Sequence, residues 1–303
     1  MKVCSLLPSA TEMLFAMGAG DDVVGVTFEC DYPAEARERP RVVFSRMPEG
    51  ISSAEIDALV TATGAEGKSL YFADFERLER LAPELIVLQD LCHVCAIDSP
   101  TLARDLSRLS SQPQIISLNA NSLEGIFREI EMVGEAAGHA EGARRLAVGL
   151  RDRVERVRKS VAPTAQRPRV LCLEWLDPLF QGGHWVPEMV EIAGGEAVLA
   201  APGEMSVRIP WEQVAASQPE IVVVMPCGYD LAETVTQFHE LEPGFPAEWR
   251  ELPAVRGQRV YAVDGSAYYS RPGPRVVDGL EILRSILSET GWKGLPHGSV
   301  ARL

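Results

Sequence analysis

Two cysteines with metal-site spacing occur in the stretch Cys92-His93-Val94-Cys95. A structural zinc ion needs four ligands, and thiolate ligands usually come as paired spacings. The sequence has no second C-x-x-C, although Cys30 and Cys227 follow predicted strands and could supply further thiolates. The favoured interpretation is a set of unligated thiols. We therefore expect Cys92 and Cys95 to be reduced and to bind no stoichiometric zinc.

A histidine that could bind a metal centre lies in Gly182-Gly183-His184-Trp185. Its neutral imidazole could be an axial ligand of cobalt or iron. The competing interpretation, which we favour, is a hydrogen-bonding surface group. The two glycines permit a sharp turn or a close approach to a ligand. They do not form G-x-G-x-x-G and no Walker motif occurs, so nucleotide binding is not expected. We predict no catalytic residue.

Aromatic side chains are concentrated in the segments that follow predicted strands, although only 7% of the chain is aromatic. This enrichment favours a large, flat, partly apolar ligand. Alternatively, the same rings cover the ends of each core, and Trp185 in particular could seal the core near Pro187. The predicted ligand-binding residues are Tyr32, Phe44, Arg46, Asp90, Trp175, Gln181, His184, Trp185, Tyr229, Ser266 and Tyr268.

The elements that must position these residues alternate between apolar strands and helices. Strands are predicted at residues 2–7, 23–27, 84–89, 114–118, 169–175, 220–225 and 259–263. Capping boxes predict two helix starts, one from Ser9 and Glu12 and one from Ser52 and Glu55. Strands that are apolar on both faces and separated by helices indicate parallel sheets. Cys4 and Cys172 lie within predicted strands and are expected in the core.

The middle of the chain differs from both ends. Residues 141–161 place apolar side chains on one face and charged ones elsewhere, which predicts one long amphipathic helix of roughly 30 Å. We predict an N-terminal lobe at 1–138, a backbone helix at 139–162 and a C-terminal lobe at 163–303. A continuous helix that contacts both lobes would allow only small lobe closure. Residues 293–303 are expected to form a mobile tail.

The two predicted lobes share short sequence similarities in the same order. Glu12-Met13 and a following Gly18 resemble Glu188-Met189 and Gly194. Residues 83–87 (PELIV) resemble residues 219–223 (PEIVV). Together these similarities favour two related lobes over chance.

Composition excludes several classes of function. The chain has 29 Lys and Arg against 43 Asp and Glu, a net charge of −14, so no nucleic-acid partner is expected. No apolar run approaches the length of a membrane span. The first strand begins at once, and the cysteines are too sparse for a secreted disulfide framework. As written, the chain is expected in the cytoplasm, or in the periplasm or outside the cell if a leader was removed, and as a monomer.

Several of these segments resemble one known family. They are residues 5–12 (SLLPSATE), 83–87, the central helix, 219–226 (PEIVVVMP) and 271–275 (RPGPR). This set resembles the cobalamin-binding group of ABC-transporter substrate-binding proteins, within the class of helical-backbone metal receptors that also bind haem and siderophores. The resemblance covers nearly the whole chain. It implies an α/β fold with two Rossmann-like lobes, parallel sheets and a long rigid backbone helix.

The resemblance also implies a function and a partner. It implies non-enzymatic binding of a corrinoid, or a related metal chelate, in a cleft between the lobes, with the chelate as ligand and no separate cofactor. The implied partner is an ABC-transporter permease, which acidic residues on each lobe would contact; a cytosolic relative would lack it. The alternative is a cytosolic tetrapyrrole- or metal-handling enzyme that uses His184 and the loop cysteines.

Overall fold

The computed structural model describes residues 1–48, 50–66, 69–89, 106, 108–163, 166–288, 294–296 and 298–303. The chain divides into two compact units. The first consists of Met1–Ala120 and Glu124–Gly149, and the second of Asn121–Leu123 and Leu150–Leu303. The lobe boundaries drawn from the sequence at 138 and 163 stay predictions.

The first unit contains a six-stranded sheet in the order β4-β3-β2-β1-β5-β6. Its strands are β1 Val3–Ser5, β2 Val23–Thr27, β3 Arg41–Ser45, β4 Tyr71–Ala73, β5 Leu85–Gln89 and β6 Gln114–Leu118. Its helices are α1 Pro8–Ala16, α2 Ser53–Ala65 and α3 Phe75–Leu81, followed by α4 Leu123–Ala136, whose first residue belongs to the second unit. All pairings are parallel except that of β4 with β3. The predicted parallel sheet is thus confirmed, with one antiparallel edge strand added.

The two predicted capping boxes have opposite outcomes. Ser52 accepts a hydrogen bond from the Glu55 amide, and Glu55 bonds back to the Ser52 amide, which confirms the start of α2. The prediction at Ser9 is wrong. The N-cap of α1 is Leu7, and the Ser9 hydroxyl is buried without a hydrogen-bond partner among the described residues. Pro8 explains the difference, because its fixed φ and missing N–H suit the first helical position and leave Ser9 already inside the helix.

The second unit contains a sheet in the order β12-β11-β10-β7-β8, and β9 also pairs with β7. Its strands are β7 Arg169–Leu176, β8 Leu179–Gln181, β9 Glu196–Ala197, β10 Ile221–Val224, β11 Val260–Val263 and β12 Val300–Arg302. The pairings of β7, β9, β10 and β11 are parallel, whereas β8 and β12 are antiparallel edge strands. The prediction of a mobile tail is wrong for its last residues, because β12 pairs with β11 and the Leu303 amide bonds to the Val260 carbonyl.

Helices accompany the strands of the second unit. They are α6 Val186–Ala193, α7 Trp211–Ser217, α8 Leu231–Leu241, α9 Ala247–Glu251, α10 Pro253–Arg256, α11 Gly265–Tyr268 and α12 Val276–Ser288. The core of this unit includes the almost fully buried Trp249 and the strand residues Leu171 and Val222. Cys172 and, in the first unit, Cys4 are buried in strands as predicted, and burial raises the pKa of each thiol to about 12. No helix among the described residues is long and apolar enough to cross a membrane.

The predicted central helix is confirmed as one continuous element, α5 Ala140–Ser160. It begins in the first unit and ends in the second. Its predicted apolar face is buried, as at Ala147 and Val154. In its second half Arg153 donates to Glu281 of α12 at 2.7 and 3.0 Å. This hydrogen bond and the neighbouring Asp278 raise the pKa of Arg153 despite its partial burial, so the guanidinium stays charged.

The repeated Pro-Glu sequence makes the same contacts in both units. Glu84 accepts a hydrogen bond from the backbone N–H of Lys2 at 2.8 Å, and Glu220 accepts one from that of Arg169 at 2.9 Å. In each case the preceding helix ends in a left-handed residue, Ala82 or Gln218. The repeat therefore starts equivalent central strands, β5 and β10, beside β1 and β7, and its similarity has a structural basis.

Candidate ligand-binding residues

Two aromatic side chains of the second unit meet at the carboxyl ends of neighbouring parallel strands. Trp175 lies at the end of β7 and Tyr229 follows β10. The ladder continues past β10, because the Cys227 amide donates to the Glu174 carbonyl at 3.0 Å. The two rings are 5.5 Å apart in an edge-to-face arrangement, and both are partly exposed. Such a surface suits one face of a flat ligand.

Neutral hydrogen bonds fix this aromatic pair. The Trp175 indole donates to the Asp177 carbonyl at 3.1 Å, and the Gln237 amide nitrogen donates to the Tyr229 hydroxyl at 3.3 Å. Burial raises the pKa of Tyr229, so its phenol is neutral. The amide of Ser266 donates to the Tyr229 carbonyl at 3.0 Å, so this predicted site residue lies beside the pair.

The segment after β11 contains Asp264 and Tyr268, at the two ends of the short helix α11. Asp264 caps α11 by accepting from the Ala267 amide at 2.7 Å, and burial raises the pKa of its carboxyl group. Tyr268 lies at the end of that helix, with the Arg275 guanidinium 5.9 Å from its ring centre.

The segment from Gln181 to His184 is held tightly by its backbone. The His184 amide donates to the Glu204 carbonyl at 2.6 Å, and its carbonyl accepts from the Gly203 amide at 2.8 Å. His184 has φ of 55°, and its Nδ1 is buried without a hydrogen-bond partner in the described part of the chain. Burial lowers its pKa, so the imidazole is neutral. Gln181 is 3% exposed, and its Oε1 is also buried with no hydrogen-bond partner among the residues that the structure describes.

Trp185 lies inside the second unit rather than on its surface. Its side chain is 4% exposed, and its indole N–H donates to the Tyr269 carbonyl at 2.9 Å. The His184 ring lies 5.7 Å away. This burial favours the alternative in which Trp185 seals the core. Its contribution to ligand binding stays a prediction.

The first unit holds its candidate aromatic residues at the edge of its sheet. Phe44 of β3 lies opposite Phe72 of β4, and their rings are stacked with centres 5.6 Å apart. Arg46 lies 4.9 Å from the Phe72 ring centre and Arg77 lies 5.7 Å from that of Phe44. Two predicted site residues, Phe44 and Arg46, therefore both lie against the Phe72 ring. The position of Arg46 permits cation–π attraction to that ring.

The other predicted site residues are more scattered. Tyr32 is 50% exposed after β2. Cys30 is buried, with its sulfur 3.0 Å from the Thr11 hydroxyl, whereas Cys227 is exposed. Asp90, Cys92 and Cys95 lie outside the described residues. Among the residues that the structure describes, no group of three or more His, Cys, Asp or Glu side chains could hold a metal ion.

Sequence reasoning missed Gln237, which donates a hydrogen bond to Tyr229, and Phe72, which stacks on Phe44. Gln237 lies on α8 at a position whose neighbours Thr234 and Phe238 are buried. A glutamine on the buried face of an amphipathic helix is a detectable signal, because such a polar group needs a partner. Phe72 lies in a three-residue strand that is too short for a period-2 pattern.

The fold and a match to a known family define the class of protein. Each unit is an α/β unit with a largely parallel sheet, and together they contain the sequence pattern of a solute-binding protein, which matches residues 3–267. The chain belongs to the periplasmic binding protein family.

Relatives within the family carry names that specify a ligand. The vitamin B12-binding protein of Vibrio parahaemolyticus is 25% identical over 284 residues, which cover 92% of this chain and 86% of that protein. The vitamin B12-binding protein of Photorhabdus laumondii is 26% identical over 299 residues, or 96% of this chain and 89% of that one.

Solved structures share the fold over nearly the whole chain. The periplasmic vitamin B12 binding protein BtuF of Vibrio cholerae has a TM-score of 0.69 at 23% identity and covers 95% of this chain and 96% of its own. The periplasmic heme-binding protein RhuT from Roseiflexus sp. RS-1 has a TM-score of 0.70 at 23% identity, with 95% and 98% covered. These similarities establish the fold.

Proposed function

We propose that this protein binds a corrinoid, or a related metal chelate such as haem, without chemically changing it. The observation that carries the proposal is the match to vitamin B12-binding proteins over 92% and 96% of the chain. Membership of a solute-binding family supports binding rather than catalysis.

The chemistry of the second unit supports the same ligand class. A corrin ring has apolar faces and a fringe of polar amides. Trp175 and Tyr229 offer an aromatic surface for a ring face, and the neighbouring Ser266 offers a hydroxyl group for the fringe. Both aromatic side chains are neutral and hydrogen-bonded, so they need little reordering on binding.

The proposal includes a transport partner. Relatives of this family are periplasmic proteins or, as in Bacillus subtilis, an ABC-transporter substrate-binding lipoprotein. We infer that this protein delivers its chelate to an ABC-transporter permease outside the cytoplasm. Co-purification with a permease from the same genome, dependent on bound chelate, would test this step.

Absorbance spectroscopy tests the ligand and the absence of catalysis together. Purified protein would be incubated separately with cobalamin, cobinamide and haem, and each spectrum followed to saturation and then for hours. We expect saturation at one chelate per chain, and recovery of unaltered chelate after the protein is denatured. Failure to bind all three would contradict the proposal. Recovery of chemically altered chelate would support the alternative enzyme that uses His184 and the loop cysteines.

A further inference from the structure

A buried glutamine lies behind the aromatic pair of the second unit. Gln237 is 9% exposed on α8, and its Oε1 is buried without a hydrogen-bond partner in the described part of the chain. An unmet amide oxygen destabilises a core. The other end of the same amide donates to the Tyr229 hydroxyl at 3.3 Å. The side chain is thus poorly suited to the core and well placed to hold a tyrosine.

The backbone and the side chain of Tyr229 are fixed by different contacts. Its amide donates to the Pro226 carbonyl at 3.2 Å, and its carbonyl accepts from the Ser266 amide. These bonds leave the side-chain torsions free. The ring is held by Gln237 at its hydroxyl end and by the edge-to-face contact with Trp175 at 5.5 Å.

We propose that Gln237 is a positioning residue for ligand binding, which holds the Tyr229 ring against Trp175 so that the two rings form one preformed surface. This inference rests on the proposed function. Without the amide, the Tyr229 ring can leave Trp175, and a ligand must then order it again on binding. Preformed surfaces bind more tightly because that ordering cost is already met.

The test compares Gln237→Met, Tyr229→Phe and the double variant by calorimetric titration with whichever of cobalamin, cobinamide and haem binds wild type most tightly. Methionine keeps the length of the side chain but removes the hydrogen bond. We expect each single variant to bind about three- to tenfold more weakly, the effect of one neutral hydrogen bond. The double variant should bind no more weakly than either single variant, because both remove the same contact.

Thermal unfolding separates positioning from a structural role. Gln237→Met also removes the unpartnered oxygen, so its melting temperature should equal or exceed that of wild type while its affinity falls. Gln213→Met is the matched control, because Gln213 is exposed on α7 and its replacement should change neither quantity. If Gln237→Met does not fold, Tyr229→Phe, which keeps the ring and removes the same bond, decides alone.

Each remaining outcome overturns the inference. Wild-type affinity in Gln237→Met, additive losses in the double variant, or an affinity loss that occurs only with a lower melting temperature would exclude a positioning role. In all three cases wild type binds chelate and the proposed function stands. Wild type that binds none of the three chelates would overturn the proposed function and this inference together.

Discussion

The two units hold their candidate aromatic residues in different ways. In the first unit Phe44 and Phe72 lie at the sheet edge and have arginine side chains over their faces. In the second, Trp175 and Tyr229 lie beside central strands and are fixed by neutral hydrogen bonds. A face covered by a cation must lose that contact before it can stack on a ligand. The second unit therefore offers an apolar surface that is already arranged for stacking on a ligand, and the first unit offers the positive charge of its arginines.

The largest expected effect is on stability and concerns Trp185, the buried tryptophan of the second unit. Trp185→Ala should lower the free energy of unfolding by about 3–5 kcal/mol, because it empties a core site and removes the bond to Tyr269. Urea unfolding measures this loss. Titration of the folded fraction then decides the role of Trp185 in binding: unchanged affinity removes it from the site, and weaker binding returns it there.

The next effect compares the units directly. Trp175→Ala should weaken chelate binding by about 1–3 kcal/mol, the contribution of burying a large apolar side chain, and should change stability little because the ring is partly exposed. Phe72→Ala is the matched change in the first unit, and we expect a smaller loss of affinity. Calorimetric titration of both variants measures the difference. A larger loss in Phe72→Ala would reverse the comparison.

A smaller effect compares two serines in the first unit. Ser52→Ala should destabilise the protein by about 1 kcal/mol, because it removes a capping box. Ser9→Ala should be neutral or slightly stabilising, since the buried Ser9 hydroxyl has no hydrogen-bond partner to lose within the described structure. Denaturant unfolding of the two variants side by side measures this contrast. Equal destabilisation would show that Ser9 caps α1 after all.

The smallest expected effect is a loss of stability at acidic pH through protonation of His184. Burial lowers the pKa of this imidazole, so the unfolded chain binds a proton more readily than the folded chain. Stability is therefore lost as pH falls through the ordinary histidine pKa of about 6.5 towards the lower folded value. Wild type should lose more stability than His184→Asn between about pH 7.5 and pH 5.5; asparagine tolerates the positive φ. Identical pH profiles would show that His184 is free to protonate in the folded protein.

Long apolar segments were predictable from the sequence. Strands β2 and β6 follow from runs of apolar residues and the helix α5 from a sustained helical period, and the Pro-Glu repeat marks the starts of β5 and β10. The strands β4, β8, β9 and β12 were missed because they have two or three residues each, too few for any periodicity, and the five-residue strand β3 was missed as well. The strands β4, β9 and β12 pair with strands that are distant in the sequence, whereas β8 pairs with β7, which directly precedes it.

The site was predictable in part. The sequence placed Trp175 and Tyr229 at the carboxyl ends of predicted strands, and the structure brings their rings together, while their role in binding stays a prediction. The sequence left the burial of Trp185 as one of two alternatives, because its hydrogen bond to the Tyr269 carbonyl joins residues 84 apart in the chain. The contact of Gln237 with Tyr229 was missed for a different reason: a period identifies a buried helical face but not the partner of a polar group on it.

The most direct test of the central claim is a calorimetric titration of wild type with cobinamide, cobalamin and haem, in parallel with Trp175→Ala. We expect saturable binding of at least one chelate at one molecule per chain, and weaker binding by Trp175→Ala. Absence of binding by wild type to all three chelates, in protein whose cooperative unfolding shows that it is folded, would contradict it.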